Sequence, residues 1–357
     1  MILAESYSGE WIYSHLSKKG FEKINPPLAE KMIHALGLVE ALAASGLDFV
    51  FKGGTSLILL MTAPGRFSID VDIITKATRE EIEATLNKVC NGIPFMRFTL
   101  NERRSYRPGI PKAHYSIIYT SNLTGREDHI LLDILFDDHS YPKVLSVPVV
   151  SEWLKTDATV VLVKIPTHES ITGDKLTAFA PNTTGIAYKK GKEIDIIKQL
   201  YDLGRLFNEI KDIAVLSEAF HKTVVKEIGY RGIESSPHSV LDDIINTAIL
   251  IAKRERNKEE PHLSNFLEIQ TGLKQFRTYQ VTSFFRIDEA ITAAAKAALL
   301  AAIIKAGITE NIEPFTEGLN KKDYLIEHPD YIFLNKLPVE PLFYWRKTIE
   351  IITKLSF

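Results

Sequence analysis

The stretch KGGTSLILLMTAPGRFSIDVDI, residues 52–73, gives the strongest indication of fold and function in this sequence. Residues 47–51, LDFVF, are rich in β-branched and aromatic side chains and predict a short strand that ends at the turn Gly53-Gly54. TSLILL after the glycines predicts a short helix. In FSIDVDIIT, residues 67–75, apolar and polar residues alternate, which predicts a second strand with one polar face. The predicted order is therefore strand, glycine turn, helix, strand.

Asp70 and Asp72 are two residues apart on the second predicted strand, so both side chains project from one face. Carboxylates this close repel each other unless a cation lies between them. Two acids can share a pair of divalent ions, which activates an attacking oxygen and stabilises a leaving pyrophosphate. Mg²⁺ suits such oxygen ligands, and Mn²⁺ is an alternative. Each feature also has an ordinary alternative, because an Asp-x-Asp pair at a strand edge is often only solvated surface.

The glycine turn adds a second requirement. Gly53 and Gly54 lie between a strand and a helix, where backbone N–H groups and a helix N-terminus face outward and bind anions. Thr55 and Ser56 add hydroxyl groups at the same place. A phosphate-binding turn beside a metal-binding pair is what an enzyme that uses a nucleoside triphosphate (NTP) needs.

The rest of the chain indicates an α+β fold in two domains. Residues 28–46 have helical periodicity, and Thr78 with Glu81 forms a capping-box pattern at the start of another helix. Three runs predict further strands of a mixed sheet, namely residues 95–102, 114–121 and 128–136. From about residue 169 the pattern is helical. We therefore predict a mixed-sheet core with an N-terminal helical segment in residues 1–165, and a mostly helical domain in residues 166–357.

Composition and charge restrict the class of protein. The 357 residues carry a net charge of −2 and one cysteine, Cys90, which indicates no disulfide framework and fits a cytoplasmic protein. The N-terminus lacks the pattern of a secretory signal. Lys296 and Lys305 interrupt the alanine-rich residues 291–308, so we expect a helix packed in protein and no membrane association.

The motif residues resemble a known family. KGGTSL…RFSIDVDI is similar to the signature of the DNA-polymerase-β-like nucleotidyltransferases. More narrowly, it resembles the AbiEii/MenT-like toxins of bacterial toxin–antitoxin systems, whose motif reads close to Gly-Gly-Thr-x-Leu … Arg-Phe-Ser-x-Asp-x-Asp. The matching positions are Gly53, Gly54, Thr55, Leu57, Arg66, Phe67, Ser68, Asp70 and Asp72. The resemblance implies a polymerase-β-like core and a Mg²⁺-dependent nucleotidyltransferase.

Such an enzyme has a third carboxylate on a neighbouring strand. Asp133 is the candidate, because it lies in an apolar strand pattern where an unpaired acid is costly; Asp137 and Asp138 are the alternatives. Arg66 is expected to reach the triphosphate, or else to neutralise Asp70 or lie on the surface. Ser68 shares the strand face of the two aspartates, as part of the nucleotide site or as a small polar filler.

Two later segments extend the resemblance. ESITGDKLTAFA, residues 169–180, resembles a helix whose lysine contacts the nucleotide phosphates, and Lys175 is the match. KEIDIIKQLYDLGRL, residues 192–206, resembles a later active-site motif, with Asp202 at its acidic position. Asp195, Lys198 and Asp202 share one helix face, so a salt-bridged surface stripe is the alternative. The resemblance thus adds Lys175 and Asp202 to the predicted catalytic residues Asp70, Asp72 and Asp133.

The acceptor is less well defined by the sequence. From Arg97 to Arg126 there are six Lys or Arg residues and one acid, a local charge of +5 that can hold phosphates or form a solvated loop. The family points to tRNA, at its 3′ end, as acceptor and to a cognate antitoxin as partner. A protein or small-molecule acceptor is the first alternative. A catalytically inactive binding protein of the same fold is the second, and the intact Asp-x-Asp pair argues against it.

Overall fold

The computed structural model describes residues 1–18, 24–63, 65–105, 109–281 and 284–355. The chain forms two compact units. The first contains Met1–Thr167 and the short segment Thr278–Phe284, and the second contains His168–Arg277 and Phe285–Phe357. Residues 278–284 therefore belong to the first unit, although the residues on both sides of them belong to the second.

The first unit is built on a seven-stranded mixed sheet. Its strands are β1 (Val50–Lys52), β2 (Val71–Thr75), β3 (Phe95–Leu100), β4 (Lys112–Thr120), β5 (Glu127–Phe136), β6 (Val144–Pro148) and β7 (Leu162–Pro166). The strand order is β3-β4-β5-β2-β1-β7-β6. Strand β2 is parallel to β5 and β1 is parallel to β7, while the other neighbours are antiparallel. The helices of this unit are α1 (Gly9–Leu16), α2 (Pro26–Ala44), α3 (Gly53–Leu60), α4 (Arg79–Cys90) and α5 (Glu102–Ser105).

The two faces of the central strands differ in polarity. Side chains alternate between faces along a strand, and one set is fully buried in the main hydrophobic core, to which α2 and α4 also contribute. This set includes Ile73 of β2, Ile134 of β5 and Ala113 of β4. The residue preceding Ile73, Asp72, lies on the opposite face. The buried face therefore fixes which polar side chains the other face presents.

Local sequence patterns predicted several of these elements. Strands β1, β3, β4 and β5 and helix α3 lie where the sequence indicates them. Helix α2 ends just before Gly46, which has a φ of 86° that suits glycine. The Thr78–Glu81 capping box is present at the start of α4. The predicted fold class, a mixed α+β core followed by a mostly helical half, is confirmed.

The predicted start of the second strand is wrong. We expected a strand from Phe67, but β2 begins only at Val71. Residues 66–70 have other partners: the Phe67 N–H donates to the carbonyl of Tyr279 at 2.8 Å, and Arg66 forms a bridge with Gln280. Strands β6 and β7 were not predicted.

The second unit is helical. Its helices are α6 (His168–Ala178), α7 (Glu193–Leu206), α8 (Ile213–Arg231), α9 (Pro237–Lys253), α10 (His262–Phe276), α11 (Ile287–Lys305) and α12 (Val339–Leu355). The alanine-rich α11 is buried along most of its length and packs against α7, α9 and α12, as expected for a helix packed in protein. Among the helices that the structure describes, none is long and apolar enough to cross a membrane.

Candidate active site

Four polar side chains form a row across the centre of the sheet. His114 of β4 is the register partner of Asp133 of β5, Asp133 is the partner of Asp72 of β2, and Asp72 is the partner of Lys52 of β1. Register partners on neighbouring strands lie on one face, with the strands about 4.8 Å apart. We call His114, Asp133, Asp72 and Lys52 the polar row. It brings two of the three predicted metal ligands together on adjacent strands.

The third predicted ligand, Asp70, lies just before β2. Its carbonyl oxygen accepts a hydrogen bond from the Thr55 hydroxyl at 2.5 Å, which ties the acidic segment to the first turn of α3. Thr55 is fully buried. Its hydroxyl proton is engaged in this bond, so what Thr55 offers to an anion is its backbone N–H in the first turn of α3, where intrahelical acceptors are lacking.

Both glycines of the turn are required by close contacts. Gly53 has a φ of 76°, and a Cβ there would collide with the Asp72 carboxylate. A Cβ at Gly54 would collide with the Arg66 guanidinium and lie 2.7 Å from the Ser68 hydroxyl oxygen. The start of α3 is therefore in direct contact with Asp72, Arg66 and Ser68. The motif residues that the sequence separates by up to 19 positions form one site.

Arg66 is buried, with 6% of its surface exposed, so the alternative of an ordinary surface arginine is wrong. Its Nη1 donates to the carbonyl of Phe67 at 3.1 Å. The guanidinium lies at the N-terminus of α3, which carries partial positive charge of its own. A buried guanidinium beside a helix N-terminus forms a positive environment that suits an anion.

His114 is directly hydrogen-bonded to Asp133. Its Nδ1 lies 2.5 Å from Asp133 Oδ1, and the two side chains are 12% and 27% exposed. An ionised carboxylate only accepts, so Nδ1 donates. The Nε2 atom is buried, and within the described ranges it has no hydrogen-bond partner. Leaving such a group unsatisfied costs about 1–3 kcal/mol.

The two alternatives for the third acid lie elsewhere. Asp137 and Asp138 follow the end of β5, and Asp138 pairs with Lys76 at 2.5 Å. Both line a cavity of about 680 Å³ together with Asp48 and Lys164. The described residues that line this cavity do not include Gly53, Asp72 or Asp133. Register with Asp72 therefore favours Asp133.

The donor set of the site fits a hard divalent cation. Asp70, Asp72 and Asp133 provide oxygen atoms only, which Mg²⁺ prefers. No group of three His, Cys, Asp or Glu side chains in the described part of the chain is close enough to enclose a metal by itself. Mg²⁺ in NTP-using enzymes is typically held by one or two carboxylates and by substrate phosphates, so an open arrangement is compatible with this role.

Lys175 and Asp202 lie in the second unit and pair with each other. Lys175 Nζ is 2.7 Å from Asp202 Oδ2 and 3.3 Å from Gln199 Oε1, and the two charged side chains are only 5% and 3% exposed. Asp195 and Lys198 form a separate, more exposed pair at 3.1 Å. The alternative of one surface stripe therefore fits Asp195 and Lys198, whereas Asp202 is buried.

The basic segment between Arg97 and Arg126 is less positive than its sequence indicates. Arg97 makes two hydrogen bonds, of 2.8 and 2.7 Å, with Glu127, which comes one residue after the segment. Arg97 lies on β3 and Glu127 on β5, and their ion pair neutralises one positive charge of the segment. Arg107 and the side chain of Arg104 lie outside the described residues.

Two residues of the polar row, Lys52 and His114, were not among the predicted site residues. A local signal existed for His114, because it occupies a position on the polar face of an alternating strand. That His114 lies beside Asp133 depends on the register between β4 and β5, which no local sequence pattern shows.

The strand–turn–helix–strand unit, with acids in register beside a glycine turn, is of the nucleotidyltransferase class. A family model described as "Nucleotidyl transferase AbiEii toxin, Type IV TA system" matches residues 37–318, which is more than half of the chain. The chain belongs to this AbiEii family of nucleotidyltransferase toxins, which are components of type IV toxin–antitoxin systems.

Similar solved structures have low sequence identity. A proposed nucleotidyltransferase from H. pylori is 17% identical, with a TM-score of 0.44 over 82% of this chain and 97% of that one. JHP933 from Helicobacter pylori is 16% identical, with a TM-score of 0.45 over 80% and 94%. An antigenic nucleotidyltransferase-like protein from Paracoccidioides brasiliensis is 18% identical, with a TM-score of 0.31 over 57% and 92%. Among curated proteins none matches this chain.

Proposed function

We propose that the protein transfers a nucleotide from an NTP to an RNA acceptor, the 3′ end of tRNA, and releases pyrophosphate. The observation that carries this proposal is the in-register pair Asp72 and Asp133 beside the glycine turn at the start of α3. In this arrangement carboxylates lie beside a helix N-terminus and a guanidinium, which supports the binding of both cations and phosphates. An inactive binding protein has no need of both.

The triphosphate would bind at the start of α3. Backbone N–H groups of Gly53, Gly54 and Thr55 lie in the first helical turn, which is an anion-binding position. Arg66 adds a guanidinium that matches phosphate oxygens in a planar, two-pronged geometry. Ser68 touches the same turn and would donate its hydroxyl to the nucleotide.

Asp70, Asp72 and Asp133 would hold the divalent cations, Mg²⁺ or its substitute Mn²⁺. When bound, these cations would stabilise negative charge on the attacking and leaving oxygens. The carboxylates fix where that charge is stabilised, because Asp72 and Asp133 belong to hydrogen-bonded strands and Asp70 is tied to α3 through Thr55. Such fixed electrostatic groups are generally the largest contribution to catalysis of this kind.

The reaction balances as a displacement at phosphorus. The acceptor hydroxyl oxygen forms a bond to the α-phosphorus, the bond from that phosphorus to the bridging oxygen of the β-phosphate breaks, and pyrophosphate leaves. The hydroxyl proton passes to a carboxylate of the site, for which Asp133 is the candidate, or to solvent. Lys175 as a phosphate contact and Asp202 as an active-site acid remain predictions from the family resemblance.

The acceptor and the partner are inferred from the family. A type IV toxin–antitoxin family implies an antitoxin as partner. Arg97 pairs with Glu127, and the other described basic residues of the Arg97–Arg126 segment include Arg103, Lys112 and Arg126. They support a nucleic-acid acceptor.

The proposal is tested by incubating the purified protein with each of the four NTPs labelled at the α-phosphate, Mg²⁺, and either total cellular RNA or total cellular protein. We expect label from one or two NTPs to enter RNA of tRNA size, and removal of Mg²⁺ to stop it. Label in protein or in small molecules would replace the RNA acceptor by another class. No transfer to any fraction with Mg²⁺ or Mn²⁺ would contradict the proposed activity.

A further inference from the structure

We infer that His114 is a positioning residue that fixes the Asp133 carboxylate for its role in the active site. The inference rests on the proposed function, because it assigns His114 to the same reaction. It concerns a residue that the family motifs in this sequence do not include. His114 acts through Asp133 and is not placed in contact with substrate.

The geometry of the pair supports a specific contact. His114 and Asp133 are register partners on the antiparallel strands β4 and β5, so their side chains meet on one face. The Nδ1–Oδ1 distance of 2.5 Å is short for a nitrogen–oxygen hydrogen bond. Because the imidazole is only 12% exposed, water cannot easily replace it as the donor. The contact therefore holds the Asp133 carboxylate in one orientation.

Stability alone does not account for a histidine at this position. Within the described ranges its Nε2 is buried without a hydrogen-bond partner, which is unfavourable. An apolar side chain would avoid this cost, and Ile118, on the same face of β4 two positions beyond Ser116, shows that this strand face accepts one. The polar contact that His114 gains in return is the bond to Asp133.

The position of His114 and Asp133 in the polar row explains what their contact does. Asp133 is the register partner of Asp72, so the two carboxylates lie on the same side of the sheet. A donor on the outer side of Asp133 fixes that carboxylate relative to Asp72. Groups that orient a metal ligand in this way typically change metal affinity or activity about 10- to 100-fold when they are removed.

The test compares three substitutions of His114 with a control. His114→Asn keeps an N–H donor at the Nδ1 position, His114→Gln moves the donor to the Nε2 position, and His114→Leu removes it. His129→Leu is the control, because His129 is an exposed histidine of β5 that lies 3.7 Å from Asp128. For each protein the melting temperature, the Mn²⁺ affinity by electron paramagnetic resonance and the transfer rate against Mg²⁺ concentration are measured.

We expect His114→Leu and His114→Gln to weaken Mn²⁺ binding and to raise the half-saturating Mg²⁺ concentration about tenfold or more. His114→Asn should stay within about threefold of the wild type, and the control should be unchanged. If His114→Leu does not fold, the contrast between Asn and Gln decides. Equal behaviour of Asn and Gln, or wild-type metal affinity in both, would overturn the inference.

The two proposals can fail separately. Wild-type protein that binds Mn²⁺ but transfers no nucleotide, with binding weakened in His114→Gln and retained in His114→Asn, would support the positioning role and contradict the proposed reaction. Wild-type transfer that is equally fast in the Asn, Gln and Leu variants would contradict only the role of His114. Wild-type protein that neither binds Mn²⁺ nor transfers nucleotide would overturn both.

Discussion

At the scale of single residues, the site depends on the absence of a side chain as much as on the side chains present. Gly54 allows the backbone of α3 to touch both Arg66 and Ser68, and any Cβ would displace them. This contact explains why the turn and the arginine occur together in one motif. Charge alone would not require a glycine there.

We predict that Gly54→Ala lowers nucleotide transfer by at least about tenfold, because small displacements of positioning groups cost up to on the order of 100-fold in rate. The control is Gly229→Ala in helix α8, where an added Cβ meets nothing within 4 Å. That variant should keep full activity and be stabilised by about 0.5–1 kcal/mol. The measurement is the initial rate of transfer from a labelled NTP. Full activity of Gly54→Ala would show that the contact with Arg66 and Ser68 is not needed.

The buried ion pair between Lys175 and Asp202 leads to a second prediction. Removing one partner leaves the other buried charge without its ion pair, so Lys175→Met and Asp202→Leu should each destabilise the protein by about 3–5 kcal/mol. The double variant should recover much of this loss, because both charges are then gone. Unfolding in urea of the wild type, the two single variants and the double variant measures the coupling.

The same double variant separates a structural role from a catalytic one. If Lys175 and Asp202 contribute to nucleotide transfer, the double variant folds but transfers poorly. Wild-type transfer by a stable double variant would assign the pair to the stability of the helical unit alone.

At the scale of secondary-structure elements, the packing of α2 on the sheet contains an uncharged buried histidine. His34 of α2 stacks on Tyr119 of β4 with ring centroids 3.8 Å apart, and its Nδ1 donates to the carbonyl of Glu30. Burial lowers the pKa of His34 to about 4, against a usual value near 6.5. The folded state therefore disfavours the protonated ring.

The lowered pKa of His34 determines how the stability of the fold changes with pH. The pKa is lower in the folded than in the unfolded state, so the stability associated with neutral His34 is present above about pH 6.5 and is lost as the pH falls toward 4. The loss amounts to roughly 3 kcal/mol. We predict that His34→Phe, which keeps the ring stacking, weakens the decline in unfolding free energy between pH 6.5 and 4. His129→Phe, at an exposed site, is the control and should leave the decline unchanged. An unchanged decline in His34→Phe would contradict the burial of the His34 ring.

The elements also show what the sequence could and could not predict. Strands β1, β3, β4 and β5 were predictable because their alternation or apolar runs reflect local burial. Strand β6 is exposed over most of its length at the sheet edge and has no alternating burial to reveal it. The late start of β2 depends on the bond between Phe67 and Tyr279, which are more than 200 residues apart.

The site residues likewise divide into those that a local motif indicates and those that depend on the register of distant strands. The turn, Arg66, Ser68 and the two aspartates were predictable from a compact motif in residues 52–73. Asp133 was the candidate for the third acid because of its apolar strand pattern, but its position beside Asp72 depends on the register between β2 and β5. The alternation of β4 places His114 on a polar strand face, but the positions of His114 and Lys52 beside the two aspartates depend on register with other strands.

At the scale of the whole molecule, the distribution of charge bears on which acceptor the protein binds. The net charge of −2 gives no general attraction to RNA, so binding must come from a local surface. We predict that Arg103→Glu with Arg104→Glu weakens tRNA binding and reduces its dependence on salt, while NTP affinity is unchanged. Arg97→Gln is the matched control, because Arg97 is already paired with Glu127 and should contribute little. Equal tRNA affinities and salt slopes in the wild type and the double variant would exclude this segment as the RNA-binding surface.

The central claim is that Asp72 and Asp133, adjacent on parallel strands, hold the cations for nucleotide transfer. The most direct measurement is the transfer rate of Asp72→Asn, Asp133→Asn and Asp138→Asn under saturating NTP and Mg²⁺, with melting temperatures to show that each variant folds. Asparagine keeps the shape of the side chain and removes its charge. We predict that the first two variants lose at least about 100-fold in rate, the size of loss seen when a group that stabilises transition-state charge is removed. Asp138→Asn should retain the wild-type rate. Near-wild-type rates for Asp72→Asn and Asp133→Asn would contradict the account, and so would a loss confined to Asp138→Asn.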